Sequence, residues 1–323
     1  MASILTLPAI PKPARVIHFS RGLAFPALGL LVFLVIWHLA ASQVNTSLGT
    51  LPGPAQTWQQ FSGLVDEHQR ERSREAAFYE RQEKRNTAIL AQNPQAEVKT
   101  REYTGKPTFF DQIGTSLLTV AAGFLLASAL AIPAGIVLGL NKSLYAAFNP
   151  VIQLLKPVSP LAWLPIVTMV VSALYVSDDP LVSKSFLNSL FTVAMCSLWP
   201  TLINTAVGVT AVDNDLLNVS RVLKLSRWQH VRTIVLPSAV PMIFTGLRLS
   251  LGVAWMVLIA AEMLAQNPGL GKFVWDEFQN GSSASLGRIM VAVVTIGFIG
   301  LLLDRGMLSL QRHFSWNKQL SLR

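Results

Sequence analysis

Long apolar runs alternate with short polar segments along most of this chain, and the run lengths predict helices that cross a membrane. A bilayer core of roughly 30 Å needs about 20 apolar residues in helical form. Six segments meet that need, at about 23–41, 113–140, 146–176, 186–209, 240–264 and 286–308. The second is long enough to tilt or to project beyond the core. The third is interrupted by Pro157, Pro160 and Pro165, and the fourth contains Pro200. The pattern therefore predicts an all-α membrane protein of about six transmembrane helices. The first run resembles a signal peptide at a glance, but it is long for one and contains Trp37 and His38, so it reads as an uncleaved span.

Two polar segments break the rhythm. Residues 62–106 lie in a stretch of nearly 70 residues between the first two spans. They hold nine Lys or Arg and eight Asp or Glu between Asp66 and Lys106. The spacing of Glu71 to Glu75 and of Arg81 to Arg85 favours an exposed helix, either solvated throughout or docking a partner. The second segment, 215–241, is basic and amphipathic. Asp215 is placed to cap a short helix. Leu216, Val219, Val222 and Leu223 fall on one face at helical spacing. Ser226 with Gln229 forms a capping-box pattern for a second short helix, and Pro237 precedes the next span.

Charge orients the chain. Lys12, Arg15 and Arg21 precede the first span, Arg221, Lys224, Arg227 and Arg232 lie in the 210–238 loop, and Arg312, Lys318 and Arg323 follow the last span. Six crossings put all of these on the cytoplasmic side, as the positive-inside rule requires. The loops 177–185 and 266–285 then lie outside, as does the charged segment. This divides the chain into a cytoplasmic tail (1–21), a first span (22–42), an outer loop with a charged insertion (43–110), a core of five spans (111–310) and a cytoplasmic tail (311–323).

The 215–241 segment carries a resemblance. Asn218-Val-Ser-Arg-Val-Leu-Lys-Leu-Ser226, then Ile234-Val-Leu-Pro237 and Pro241-Met-Ile-Phe-Thr-Gly-Leu-Arg248, resembles the EAA loop of ABC importer permeases. Leu251-Gly-Val-Ala-Trp-Met-Val-Leu-Ile-Ala-Ala-Glu-Met263, Leu51-Pro-Gly-Pro54 and Leu161-Ala-Trp-Leu-Pro165 resemble the branch that imports nitrate, sulfonates, taurine or bicarbonate. The likeness covers most of 20–315. Asn218-Val219-Ser220 stands where the family has Glu-Ala-Ala. Lys224 stands where it has a glycine, a residue that permits a tight turn or close approach. The resemblance implies a type I ABC importer permease of the bacterial inner membrane, paired with a second copy of itself. It also implies two cytoplasmic ATPases that hold ATP and Mg2+, and an outer substrate-binding protein, periplasmic or lipid-anchored. ATPase coupling would fall to Asp215, Asn218, Val219, Arg221, Val222, Leu223 and Lys224. The outer insertion, ending Arg101-Glu-Tyr-Thr-Gly-Lys-Pro107, resembles nitrate-type permeases; nitrite, sulfonate, taurine, cyanate and bicarbonate stay open as cargo.

Composition agrees with a membrane. Apolar residues make up 51% and charged residues only 13%, against about 25% charged in soluble proteins. The net charge of +9 is accounted for by the cytoplasmic loops rather than by nucleic acid. Cys196 is the only cysteine, so no intrachain disulfide exists. His18, His38, His68, His230 and His313 have no metal-ligand spacing. Gly269-Leu-Gly-Lys272 lacks the glycine at 266 and the hydroxyl after the lysine that a phosphate loop needs. The chain is thus expected to bind no cofactor and to hydrolyse no ATP.

Candidate pathway groups lie in the spans. Lys156 sits beside Pro157 and Pro160, where freed carbonyls imply a wet or protein-lined break; it either serves the pathway or snorkels to the interface. Arg248 and Glu262 are read as the other ionisable groups within spans. Arg248 would attract an anion, while Glu262 would fix packing or gating. Thr119, Asn188, Ser189, Asn204 and Thr205 offer neutral hydrogen bonds to an anion or between helices, and Gly123, Gly135, Gly139, Gly246 and Gly252 allow close helix packing. A secondary transporter would need inverted repeats and a membrane ion site, and a membrane enzyme would need clustered acids or histidines. Neither pattern is present.

Overall fold

A computed structural model describes residues 14–46, 49–176 and 182–314. The segments 1–13, 47–48, 177–181 and 315–323 lie outside it, and with them Lys12, Lys318, Arg323 and most of the predicted second outer loop. Among the described residues the chain forms α1 (Ala14–Gln43), a short antiparallel pair β1 (Asn45–Thr46) and β2 (Gly49–Thr50), and α2 (Pro54–Gln92). There follow α3 (Phe109–Leu140), α4 (Lys142–Leu155), α5 (Pro160–Leu174), α6 (Lys184–Thr210), α7 (Asn214–Val222), α8 (Arg227–His230) and α9 (Leu236–Ala265). The last two helices are α10 (Leu270–Asn280) and α11 (Ser283–Phe314).

Among the described residues five helices are long and apolar enough to cross a membrane, and the pair α4 and α5 makes a sixth if it counts as one span. That pair is bent by 101°. The third span is therefore two helices, because Pro157 and Pro160 have no N–H to continue a ladder. Ser159 is extended, its hydroxyl accepts from Leu161 N at 3.3 Å, and Pro160 starts α5 at its first turn, where no donor is missed.

The core is α6 held between α3 and α9. Small residues permit this: a methyl group added at Gly135 would come within 2.7 Å of the Leu202 carbonyl oxygen, and one at Gly246 within 3.0 Å of the Pro200 carbonyl oxygen. Gly123 and Gly139 press on α6 in the same way, through Leu190 and Ala206. Gly252 does not; the space beside it is open. Without a strong hydrophobic drive between helices in lipid, such backbone approach supplies the packing energy.

α8 runs into α9 through a π turn at Val231–Val235, where Leu236 N donates to Val231 O. The looser turn absorbs Pro237, and 227–265 becomes one rod of 39 residues, about 58 Å long at 1.5 Å per residue.

Outside the bundle, α2 runs for 39 residues, well beyond the segment whose charge spacing predicted a helix. Residues 93–107 return along it. Arg101 N donates to Gln82 Oε1 (2.8 Å), Tyr103 N to the Tyr79 hydroxyl (3.2 Å), and the Tyr103 hydroxyl to Glu71 Oε1 (2.8 Å). That last bond to a carboxylate holds the Tyr103 phenol above its ordinary pKa. The insertion is thus a helix-and-strap hairpin rather than a bare solvated helix. Arg72 ties its base to Asp111 of α3 at 2.8 Å, and Arg288 of α11 bridges Glu277 (2.9 Å) and Glu67.

The 266–285 segment, expected as a plain outer loop, contains α10, which buries Leu270, Gly271, Phe273 and Glu277. Span six also holds ionisable groups that the reading of the spans passed over: Arg288, Asp304 and Arg305 lie within 286–308.

Candidate functional site

α7 is the element predicted to meet an ATPase. Its cap is Asp213, not Asp215: the Asp213 carboxylate accepts from Asp215 N at 3.0 Å. Asp215 lies in the first turn, where its charge still complements the helix dipole. Leu217 turns inward onto Val212 and Ile234, and the Ser220 hydroxyl meets His230 Nδ1 at 2.8 Å. These contacts fasten α7 to α8 and the π turn. The opposite face is left bare: Val219, Leu223 and Val222 are 49%, 63% and 81% exposed, and Leu216 is exposed with them. Asn218 accepts from Arg221 Nη1 at 3.2 Å on the same exposed surface.

The turn after α7 explains the departure at Lys224. Leu225 N donates to Ser220 O at 3.2 Å and Lys224 N to Arg221 O at 3.1 Å, the two bonds of a Schellman ending. That ending needs a left-handed residue, and Lys224 has φ of 48°. The lysine keeps the turn that a glycine would make with less strain. The capping box of Ser226 and Gln229 opens α8 as the spacing predicted.

Glu262 ends α9 in full burial. Its carboxylate takes the Ser116 hydroxyl (2.8 Å) and Gly271 N (3.0 Å), while Ser116 Oγ accepts Leu270 N (2.8 Å). Gly269, the residue before α10, has no side chain to cap it, so Glu262 and Ser116 satisfy the free N–H groups of that helix start. A side chain at Gly269 would collide with the Glu262 carboxylate, and one at Gly271 with the Ile259 carbonyl. The Gly269-Leu-Gly271 motif therefore wraps an internal carboxylate, not a phosphate. Asn267 Nδ2 donates to Thr119 Oγ1 at 3.2 Å beside it.

Arg248 does not reach Glu262, which is 14 residues on, about 21 Å along the helix. Its fork is held by Asp304 of α11, Nε to Oδ1 at 2.5 Å and Nη2 to Oδ2 at 2.8 Å. Asp304 is the partner that sequence reasoning missed; a lone acid in an apolar run was its signal. Lys156 caps the C-terminus of α4 and is exposed at the bend, next to Pro157 and with Pro160 one turn on. Among the described residues Arg248 and Glu262 find their hydrogen-bond partners elsewhere, on Asp304 and on Ser116 and Gly271.

In α6, Asn204 Nδ2 donates to Pro200 O (2.8 Å), and Thr119 on α3 donates to Thr115 O (2.8 Å). Asn188 Oδ1, Ser189 Oγ and Thr205 Oγ1 are buried with no partner among the described residues. Those residues contain no group of three or more His, Cys, Asp or Glu able to hold a metal.

Residues 131–315 match the model of the binding-protein-dependent transport system inner membrane component. That is more than half of the chain. The chain belongs to this family. It is the permease subunit of an ABC transporter and a multi-pass membrane protein. Relatives agree along most of its length. The nitrate import permease protein NrtB of Synechocystis is 34% identical over 297 residues, covering 89% of this chain and 87% of that one. NrtB of Synechococcus elongatus is 42% identical over 207 residues, or 61% and 70% of the two chains. The bicarbonate transport system permease protein CmpB of Synechococcus elongatus is 35% identical over 292 residues, or 90% and 89%. In three dimensions the permease matches a chain of the MetNI methionine ABC transporter in an inward-facing form, with a TM-score of 0.54 over 64% of this chain and 96% of that one. At 14% identity that likeness speaks to the fold.

Proposed function

We propose that this permease forms the path for a small anion, nitrate first, driven by ATP hydrolysed on partner subunits. The observation that carries the reading is the 42% identity to a nitrate import permease. Bicarbonate is the second reading, supported by 35% identity to a bicarbonate permease over 90% of this chain. The working unit pairs two copies of the chain with two cytoplasmic ATPases and an outer binding protein. α7 meets the ATPase with Val219, Val222 and Leu223, a bare apolar face on a helix otherwise fastened to the bundle. Its movement passes into the rod 227–265 and shifts the path between inward and outward access. Lys156, with Pro157 and Pro160 at the α4–α5 bend, is the cationic candidate on the path. Arg248 and Glu262 act as struts, because their charges are met by Asp304 and by the start of α10. Both termini are assigned to the cytoplasm, a reading that the distribution of basic residues supports.

Vesicles reconstituted with permease, ATPases and binding protein test the cargo. ATP-dependent accumulation of nitrate, with bicarbonate taken up poorly, is the expected result. Uptake of bicarbonate without nitrate would replace the first reading by the second.

A further inference from the structure

A cavity of about 410 Å3 opens at the base of the hairpin, where α2, its returning strap, α3, α10 and α11 meet. That volume falls in the range of small-molecule sites and far exceeds what one bridging water needs. Its apolar floor includes Phe109 and Phe273, with ring centroids 4.9 Å apart. Gln112 lines the cavity as well. It is 8% exposed, and its Oε1 has no hydrogen-bond partner among the described residues. A buried acceptor left unpaired costs about 1–3 kcal/mol, so the site calls for a donor.

The charges point the same way. A single guanidinium, Arg288, serves two carboxylates of the lining, Glu67 and Glu277. Glu277 is met on both oxygens, by Arg288 and by the Ser285 hydroxyl, so Glu67 is the carboxylate left without a cation of its own in the lining that holds the orphan acceptor. The lining also holds Arg70 and Lys106, which take part in none of the ion pairs of the hairpin base. Unmet acceptors and unmet cations in one cavity suit a ligand that carries both an ammonium and an anionic group. The cavity sits where the apolar runs of α3 and α11 begin, the level at which lipid headgroups lie.

We propose that this cavity binds a zwitterion, its ammonium toward Gln112 and the Glu67 carboxylate and its phosphate or carboxylate toward Arg70 and Lys106. Two sources share that chemistry, the headgroup of an aminophospholipid and a free zwitterion in the outer water. The proposal is independent of which anion is transported.

Binding to the purified full-length permease, in lipid-stripped detergent, distinguishes them. The probes are dihexanoyl phosphatidylethanolamine, O-phosphoethanolamine, dihexanoyl phosphatidylglycerol and inorganic phosphate. The ethanolamine probes should bind at least about tenfold more tightly than the other two, and Gln112→Leu should weaken them about tenfold, the loss of one hydrogen bond to a charged group. The paired change Arg70→Gln and Lys106→Gln should weaken them as much, and as surface substitutions these carry the test if Gln112→Leu fails to fold. Binding of the lipid form alone assigns the site to a headgroup; equal binding of both ethanolamine probes assigns it to a soluble zwitterion. The proposal is overturned if neither ethanolamine probe binds, if phosphatidylglycerol binds as well, or if the paired variant binds normally.

Discussion

Lys224 holds a left-handed backbone that costs a side-chain-bearing residue about 1–2 kcal/mol relative to glycine. The Schellman bonds around it show why the chain accepts this: without that residue the last carbonyls of α7 would lose their donors. Lys224→Gly should therefore stabilise the α7 turn by about 1 kcal/mol, read as a higher melting temperature in detergent and slower amide exchange at 223–226. Unchanged or faster exchange would mean that the lysine side chain itself holds the turn. The place of the glycine in the motif was legible in the sequence; the conformation that makes it necessary was not. The same is true of Asp215. A cap two residues upstream was hidden because Asp213 and Asp215 are equally able to accept a backbone N–H, and only the start of the helix separates them. Glu262 was legible as a packing residue, but its partners Ser116 and Gly271 lie 146 and 9 residues away, and no local pattern links the first.

Among the elements, the long spans followed from apolar run length alone, since lipid leaves a helix few alternatives. Two elements escaped that reasoning. α10 is short and half-polar, so it resembles a loop until Glu262 is seen to cap it. The strap at 93–107 has no periodicity because its contacts are with side chains of α2. Between elements, the pair of Arg248 on α9 and Asp304 on α11 was missed because charge was sought along one helix rather than across two. The pair fixes α9 against α11, so Arg248→Gln and Asp304→Asn should each lower the yield of folded complex. The exchange Arg248→Asp with Asp304→Arg should recover part of it, a coupling that double-mutant comparison isolates. Transport per assembled complex should change little. A single variant with normal yield but lost nitrate uptake would return Arg248 to the path. At the helix interfaces, Gly135→Leu should prevent close packing of α3 on α6 and reduce folded protein in the membrane, measured by size-exclusion profile; Gly252→Leu, at a glycine facing open space, should be tolerated. Equal damage from both would contradict the packing described for α6.

At the scale of the whole molecule, the rod 227–265 runs from the bare apolar face of α7 to the core cluster that also holds Leu64 at the base of the charged hairpin. Orientation is open to a direct check. A cysteine at Ala88, in a Cys196→Ser background, should react with an impermeant thiol reagent in cells whose inner membrane is intact. Labelling only after that membrane is breached would invert the topology. The central claim is that α7 is where ATPase work enters the permease. Val219 and Leu223 are exposed, and if that face docks an ATPase as proposed, charges there would be buried unpaired on contact. The decisive measurement is co-purification of the ATPases with a Val219→Asp, Leu223→Asp permease, alongside ATP-driven uptake in vesicles. Because both side chains face outward, the account predicts a folded permease in the membrane at normal amount, without bound ATPase and without uptake. A variant that still holds its ATPases and couples their turnover to transport would contradict it.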